Sequence, residues 1–473
     1  MTITRRQFLQ TAALTTGGLL LPGVARSDEG GWTRLRAAPA EAMLLDGKPD
    51  DPMTAVWAYE GTVPGLPLRF RKGERAKIRL QNGLEQPTSI HWHGLRVPNA
   101  MDGVAGLTQA AVEPGDSFDY EFVVPDSGTY WYHSHNRSWE QVARGLYGTL
   151  VVEEENPPAV DHDLTLAIDD WRIADDGQIH EDSFGSMMDL SHAGRMGNWL
   201  TVNGKSLAKF NVSAGDRLRL RLLNAANARI FDLDLSPAES TLIALDGQPV
   251  TPRRLDGPLK LAPGQRADLI VDLTGEPGSR LVLNAVSGGD PVEAAVFEYD
   301  QTEGRDRIAG RPEGALEAPQ RPPLDHANMV EQGLLMEGGA MGRMESGRFQ
   351  GQEMTPRELM SFGKIWTFNG VAGDMSDMHD PLLRVERGRS VAIDMFNDTR
   401  FPHAMHLHGH HFQVLEIDRE PARHQDWMDT VLMFPGERLK IGFVADNPGK
   451  WLFHCHMLEH HAAGMGTWLE VGT

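Results

Sequence analysis

At 473 residues the chain is long enough for about three domains of roughly 150 residues, and its 50 glycines and 29 prolines leave little long helical periodicity. A formal net charge of −21 disfavours nucleic acid and anionic membranes as partners and mildly favours cationic substrates, although most of that charge serves solubility. The single cysteine, Cys455, excludes an internal disulfide scaffold.

In chain order, Thr4-Arg5-Arg6-Gln7-Phe8-Leu9 has the form of a twin-arginine signal. A broken apolar run from Ala12 to Leu21 and the small residues Gly23-Val24-Ala25 follow it. Residues 1–27 are therefore predicted to be a signal peptide, which implies a periplasmic protein exported by the twin-arginine route. The run is too short and too interrupted to span a bilayer, so no membrane insertion is expected. Without this segment the balance is 42 basic against 66 acidic residues, or −24.

Residues 28–157 read as short strands with Gly/Pro turns. Pro67 marks an edge strand or a strand start at Leu66–Phe70. Ala76-Lys77-Ile78-Arg79-Leu80 alternates as a half-buried strand does. Residues 158–300 repeat the pattern, with Arg and Leu alternating from Arg217 to Leu223, and residues 361–473 repeat it again. Glu113-Pro114-Gly115-Asp116, Ala262-Pro263-Gly264-Gln265 and Phe434-Pro435-Gly436-Glu437 mark the same turn in each. The period is that of whole domains, and the prediction is an all-β chain of β-sandwiches. Residues 301–360, rich in Gly, Pro, Glu and Met, are read as a linker or lid.

The repeats differ in their histidines. The first carries His91/His93 and His133/His135, the third His406/His408 and His454/His456, and the corresponding strands of the second carry none. Chance gives about one H-x-H pair in such a chain, so four pairs on strand-like runs are a strong signal. Alternation puts both imidazoles of a pair on one face of a strand. Metal is therefore expected between the first and third repeats, with the second structural. Cys455 lies between His454 and His456, with His460 and Met465 close behind. A thiolate, imidazoles and a weak thioether suit redox copper, whereas zinc needs no such neighbour.

These residues resemble the multicopper oxidase family, which includes laccases and periplasmic cuprous oxidases. His91-Trp92-His93-Gly94, His133-Ser134-His135, His403-Ala404-Met405-His406-Leu407-His408-Gly409 and the Cys455 segment stand in the family's order. The resemblance implies three cupredoxin-like Greek-key domains and four copper ions. It implies type 1 ligands at His403, Cys455, His460 and Met465, and type 2 ligands at His91 and His406. It implies a binuclear type 3 pair at His93, His133, His135, His408, His454 and His456. One-electron oxidation of a donor would feed electrons through Cys455 to a cluster that reduces dioxygen to water. Asp102 resembles the family acid that relays protons, and it is equally suited to a turn before Gly103. Where some bacterial relatives carry a second acid, this chain has His461.

For the donor, thioethers select Cu(I). Met336, Met341 and Met344 are the candidate substrate ligands, with Met375, Met378 and His379 nearby. Phe401, just before His403, is instead suited to an organic-substrate pocket. The expected donor is Cu(I), a phenol, or both. The alternative class is a copper store or structural factor with incidental oxidase activity. A monomer is expected.

Overall fold

The structure, a computed structural model, describes residues 31–45, 51–301, 314–374 and 380–473. The predicted signal peptide lies outside the described residues, as do Met375, Met378 and His379. Strands dominate, and they form three two-sheet sandwiches.

The first sandwich pairs two four-stranded sheets. One runs Thr54–Tyr59, Thr33–Ala42, Arg75–Asn82 and Ser117–Val123; the other runs Gly65–Arg71, Tyr147–Glu153, Gly128–Ser134 and Ile90–His93. Gly65–Arg71 is an edge strand with a register shift before Leu68, which is where Pro67 is tolerated. Ala76, Ile78 and Leu80 face the core while Lys77 and Arg79 face outward.

The middle sandwich packs a six-stranded sheet on a five-stranded one. Its strand Arg217–Asn224 sends Leu218, Leu220 and Leu222 into the core. The opposite face is not solvated, as Arg/Leu alternation alone would suggest. Arg219 and Arg221 are each 1% exposed. Arg219 binds Asp268 at 2.6 Å and Glu154 at 2.7 Å, and Arg221 donates to Thr129 Oγ1 at 3.0 Å. Buried charge is tolerated because each guanidinium meets carboxylates in fork geometry. These bonds fasten the middle sandwich to the first.

The third sandwich corrects the linker reading of residues 301–360. Val330–Gly338 is a strand of its larger sheet, parallel to Ser390–Asn397 and antiparallel to Trp366–Phe368. Gly333 and the outward Glu331 and Glu337 hid its period-2 pattern. Leu334 and Met336 point into the core beside Val391, Ile393 and Met395. Met336 is fully buried, so it is a packing residue and not a substrate ligand. Met344 is half-buried against Phe349 and Leu359, and its sulfur accepts from Thr367 Oγ1 at 3.6 Å. Of the three proposed methionines only Met341 is free, at 74% exposure.

All three sandwiches meet in one apolar cluster, where Trp131, Trp171, Leu223 and Leu458 are buried together. Among the described residues no helix is long and apolar enough to cross a membrane.

Met336→Ala is expected to lower stability by about 2–5 kcal/mol, the usual cost of emptying a core position. Thermal unfolding checks this. A loss of Cu(I) turnover without a loss of stability would return Met336 to the substrate path.

Candidate metal centre

The histidine pairs sit where strand registry brings them together. His91 is directly opposite His133 across one strand pair, and His406 is directly opposite His454 across another. Met405 is opposite Cys455. The pleat therefore sends His406 and His454 out toward the first sandwich and Cys455 into the core of the third.

The outward set is eight imidazoles, all buried: His91, His93, His133, His135, His406, His408, His454 and His456. Ligand nitrogens of His91, His406 and His408 lie within 4.8 Å of one another, as do those of His91, His93 and His133 and of His135, His408 and His454. The His456 ring is 4.9 Å from that of His93 and 5.3 Å from that of His133.

Most of these rings are oriented by the partner of one nitrogen, whereas both ring nitrogens of His456 are buried without one. His91 Nδ1 donates to Asp102 O at 2.8 Å, His133 Nδ1 to Ser134 O at 3.0 Å, His406 Nδ1 to Asp429 O at 2.9 Å and His454 Nδ1 to Cys455 O at 2.9 Å. Carbonyl oxygens only accept, so the tautomer is fixed and the lone pair lies on Nε2. The Nε2 atoms of His91, His133, His135 and His406 are buried without a partner. His93 is reversed: its Nε2 donates to Asp429 Oδ1 at 3.1 Å and its Nδ1 is the unpartnered atom. His408 Nδ1 donates to the Asp102 carboxylate at 3.1 Å, which aims its lone pair at that of His454, with 3.1 Å between the two nitrogens. Converging lone pairs without protons between them are repulsive unless a cation lies among them.

The inward set is built on the same principle. His460 Nε2 donates to His192 O at 2.7 Å. His403 Nε2 donates to Thr399 Oγ1 at 2.8 Å, and that hydroxyl donates onward to Asn397 Oδ1 at 2.7 Å. The two Nδ1 atoms, both lone-pair bearing, face each other at 3.0 Å, with Cys455 Sγ 3.6 and 3.7 Å away. Met465 is fully buried, and its backbone is bonded to Cys455 and His460. Two imidazoles, a thiol and a thioether are donor types that suit redox copper, and these residues would hold it. The residues present fit copper in both places.

Burial sets the electrostatics. It holds the ring pKa values of His93, His133, His135, His403, His408, His454 and His456 well below the usual 6.5, with neighbouring imidazoles adding to the shift. His460 is pushed down to about 4 by burial alone. Neutral rings are the form that binds metal. Burial likewise pushes the Cys455 thiol up to about 12, so copper must displace a proton there.

Asp102 sits at a turn and also faces the histidine set. It follows the turn Asn99–Met101 and precedes Gly103, whose φ of +84° and close approach to Ile90 O exclude a side chain. That turn folds the carboxylate back onto His408 and within 3.3 Å of His91 Nδ1. His461 is buried, 4.4 Å from the His454 ring and 5.7 Å from the His135 ring. With His135, Lys364 and Asp374 it lines a cavity of about 270 Å³ that opens to the surface. Phe401 is half-buried between His192 and Trp366. Asp429 and Arg266 had no signal in the sequence: the buried carboxylate holds His93 and His406, and the buried guanidinium holds that carboxylate.

Family models described as multicopper oxidase match residues 45–157, 162–302 and 346–473. The chain belongs to the multicopper oxidase family. It is 32% identical to a crystal structure of the multi-copper oxidase from Pseudomonas thermotolerans, at a TM-score of 0.80, over 93% of this chain and 99% of that one. It is 29% identical to multicopper oxidase MmcO of Mycobacterium tuberculosis, covering 97% of this chain and 91% of the relative. It is 26% identical to copper resistance protein A of Pseudomonas syringae pv. tomato, over 86% and 88%. The fold is three cupredoxin-like domains, and the protein is a copper-using oxidoreductase.

Two outcomes follow. In the unfolded chain the imidazoles protonate below about pH 6.5. Their folded values are depressed, so the stability they contribute is fully present above about 6.5 and is lost as pH falls toward the folded values. The Tm of copper-free protein should therefore drop between about pH 7 and about pH 5, and a flat Tm across that window would contradict neutral buried rings. Cys455→Ser should keep the fold, since serine fits the space, but abolish both blue absorption and donor oxidation. Retained turnover would remove Cys455 from the redox path.

Proposed function

We propose that the protein oxidises Cu(I) outside the cytoplasm and passes the electrons to dioxygen, with phenols as secondary donors. In this reading His403, Cys455, His460 and Met465 hold type 1 copper. His91 and His406 hold type 2 copper. His93, His133, His135, His408, His454 and His456 hold the type 3 pair. Bound copper supplies the one-electron acceptor and the site of dioxygen reduction. The overall balance is four Cu(I), four protons and one dioxygen giving four Cu(II) and two waters.

The chain's own residues do the rest. Cys455 is covalently continuous with His454 and His456, so one strand joins the two ligand sets. Asp102 orients His91 and His408 through their Nδ1 hydrogens and is the carboxylate placed to hand on a proton. The cavity beside His135 and His461 gives dioxygen and water a way to the eight histidines.

One observation carries the choice of donor. Both outward nitrogens of the type 1 imidazoles are already bonded inside the protein, His460 Nε2 to His192 O and His403 Nε2 to Thr399 Oγ1. Neither ring has an exposed edge: both are fully buried. An organic donor cannot hydrogen-bond to either ring, so electrons enter across the His192 peptide. The surface there is rich in thioethers. Met187 and Met188 are 41% and 63% exposed on the short helix Met187–Ser191. Met341 follows Ala340, whose N–H donates to Ser191 O at 2.7 Å. His192 Nδ1 donates to Met188 O at 3.1 Å, which leaves Nε2 as the ring's ligating nitrogen. Soft sulfur with one imidazole suits Cu(I). The likeness to copper resistance protein A supports a role in handling copper. The twin-arginine pattern supports periplasmic export.

Oxygen uptake by copper-loaded protein tests this. Fast uptake is expected with Cu(I), and phenol uptake should depend on added Cu(II). Fast phenol turnover without added copper would make the protein a laccase, and copper retention without uptake would make it a store. Replacing Met187, Met188 and Met341 together by Leu should cut Cu(I) kcat/KM by about tenfold or more, and phenol turnover far less. Equal losses would sink the Cu(I) assignment.

A further inference from the structure

The middle sandwich supplies none of the eight outward imidazoles, yet its Arg266 side chain holds the carboxylate that orients one of them. Arg266 opens its strand Arg266–Asp272 and is fully buried. All five of its N–H groups are used. Nε donates to Thr129 O of the first sandwich at 3.2 Å. Nη1 donates to Gly264 O and Asp429 Oδ1, both at 2.9 Å. Nη2 donates to Asp246 O at 3.1 Å and Asp429 Oδ2 at 2.6 Å. Asp246 completes the frame from the other side: its Oδ2 accepts from the backbone N–H groups of Asp429 and Thr430 at 3.2 and 3.0 Å, and its Oδ1 accepts from Arg266 N at 2.9 Å.

Asp429 thus has no freedom to turn. Its Oδ1, also bonded by Thr430 Oγ1 at 2.8 Å, accepts from His93 Nε2. A carboxylate only accepts, so the proton of His93 must be on Nε2. That is the reverse of His91, His133, His406 and His454, which donate from Nδ1. Backbone carbonyls orient those four rings; a carboxylate held from another domain orients His93.

We propose that Arg266 is a positioning residue of this centre: by clamping Asp429 it fixes the tautomer of His93, so that Nδ1 is the nitrogen presented to metal. The middle domain thereby sets the geometry of a site formed by its two neighbours. The inference rests on the type 3 assignment of His93 made above. A lysine keeps the charge at Arg266 but cannot make the two-pronged bond to Asp429 or reach Thr129 O at the same time.

The test compares copper-loaded wild type with Arg266→Lys and Asp429→Asn. In the asparagine variant, whichever way the amide is set, its NH2 faces a donor, Arg266 Nη2 or His93 Nε2. The type 1 set lies on the other face of the strand, so blue absorption and the KM for Cu(I) should be unchanged. Turnover should fall by about 10–100-fold, the usual cost of losing support behind a metal ligand. The share of copper visible by EPR should rise, because a type 3 pair that has lost His93 is no longer magnetically silent. Wild-type turnover with a silent pair in Arg266→Lys would overturn the proposal. So would parallel loss of blue absorption, Tm and the silent pair, which would mark the clamp as merely structural. If Arg266→Lys does not fold, Asp429→Asn decides by the same signature. A wild-type protein with full copper but no silent pair would remove the type 3 reading itself, an outcome distinct from any effect of the variants.

Discussion

Repulsion between lone pairs is the constraint on which the rest of this structure depends. Eight of the ten histidines in the two ligand sets spend their one N–H on a partner at the back, which obliges the other nitrogen to face its neighbours without a proton. His403 and His460 meet nitrogen to nitrogen beside Cys455, and His408 and His454 do the same 3.1 Å apart. No hydrogen bond can relieve these contacts, because no donor remains. The polypeptide holds them in place by burying around them the large aromatic residues and the apolar core of the third sandwich. What the folding of the three domains stabilises is thus a pair of sites that a soft or borderline cation completes.

This accounts for the division of labour among the domains. The first and third each contribute imidazoles that strand register pairs within the domain, and neither alone supplies the eight outward rings. The middle one contributes charge and hydrogen bonds. Arg219 and Arg221 tie it to the first sandwich, Arg266 ties it to both others, and the His192 carbonyl covers His460. Its strands lack the H-x-H pairs of its neighbours, but its polar groups decide how several of their ligands point.

The parts of this design that could be read from the sequence are those set by local periodicity. Histidines two apart on a strand must share a face, and Cys455 between two of them must take the other; both hold in the structure. Asp102 was readable only as two equal alternatives because one residue serves the turn and the ligands together. Residues 330–338 were misread because Gly333 and two outward glutamates interrupt the apolar pattern of a strand, and with them Met336, whose thioether looks the same in a core as on a surface. Arg266 and Asp429 left no local trace. They are 163 positions apart, and only the packing of three domains makes them partners.

The pairing of Met405 with Cys455 and of His406 with His454 has a consequence for how such a protein can change over time. Paired residues share a face and successive residues along each strand take opposite faces, so the distance between the two ligand sets is set by the thickness of one pleated sheet. It does not depend on any loop. Insertions in the segment before Val330 can lengthen the chain or reshape its surface without altering that spacing. The donor side of the molecule is therefore free to diversify, while the path from Cys455 to its flanking histidines stays the same length in every descendant that keeps the strand pair.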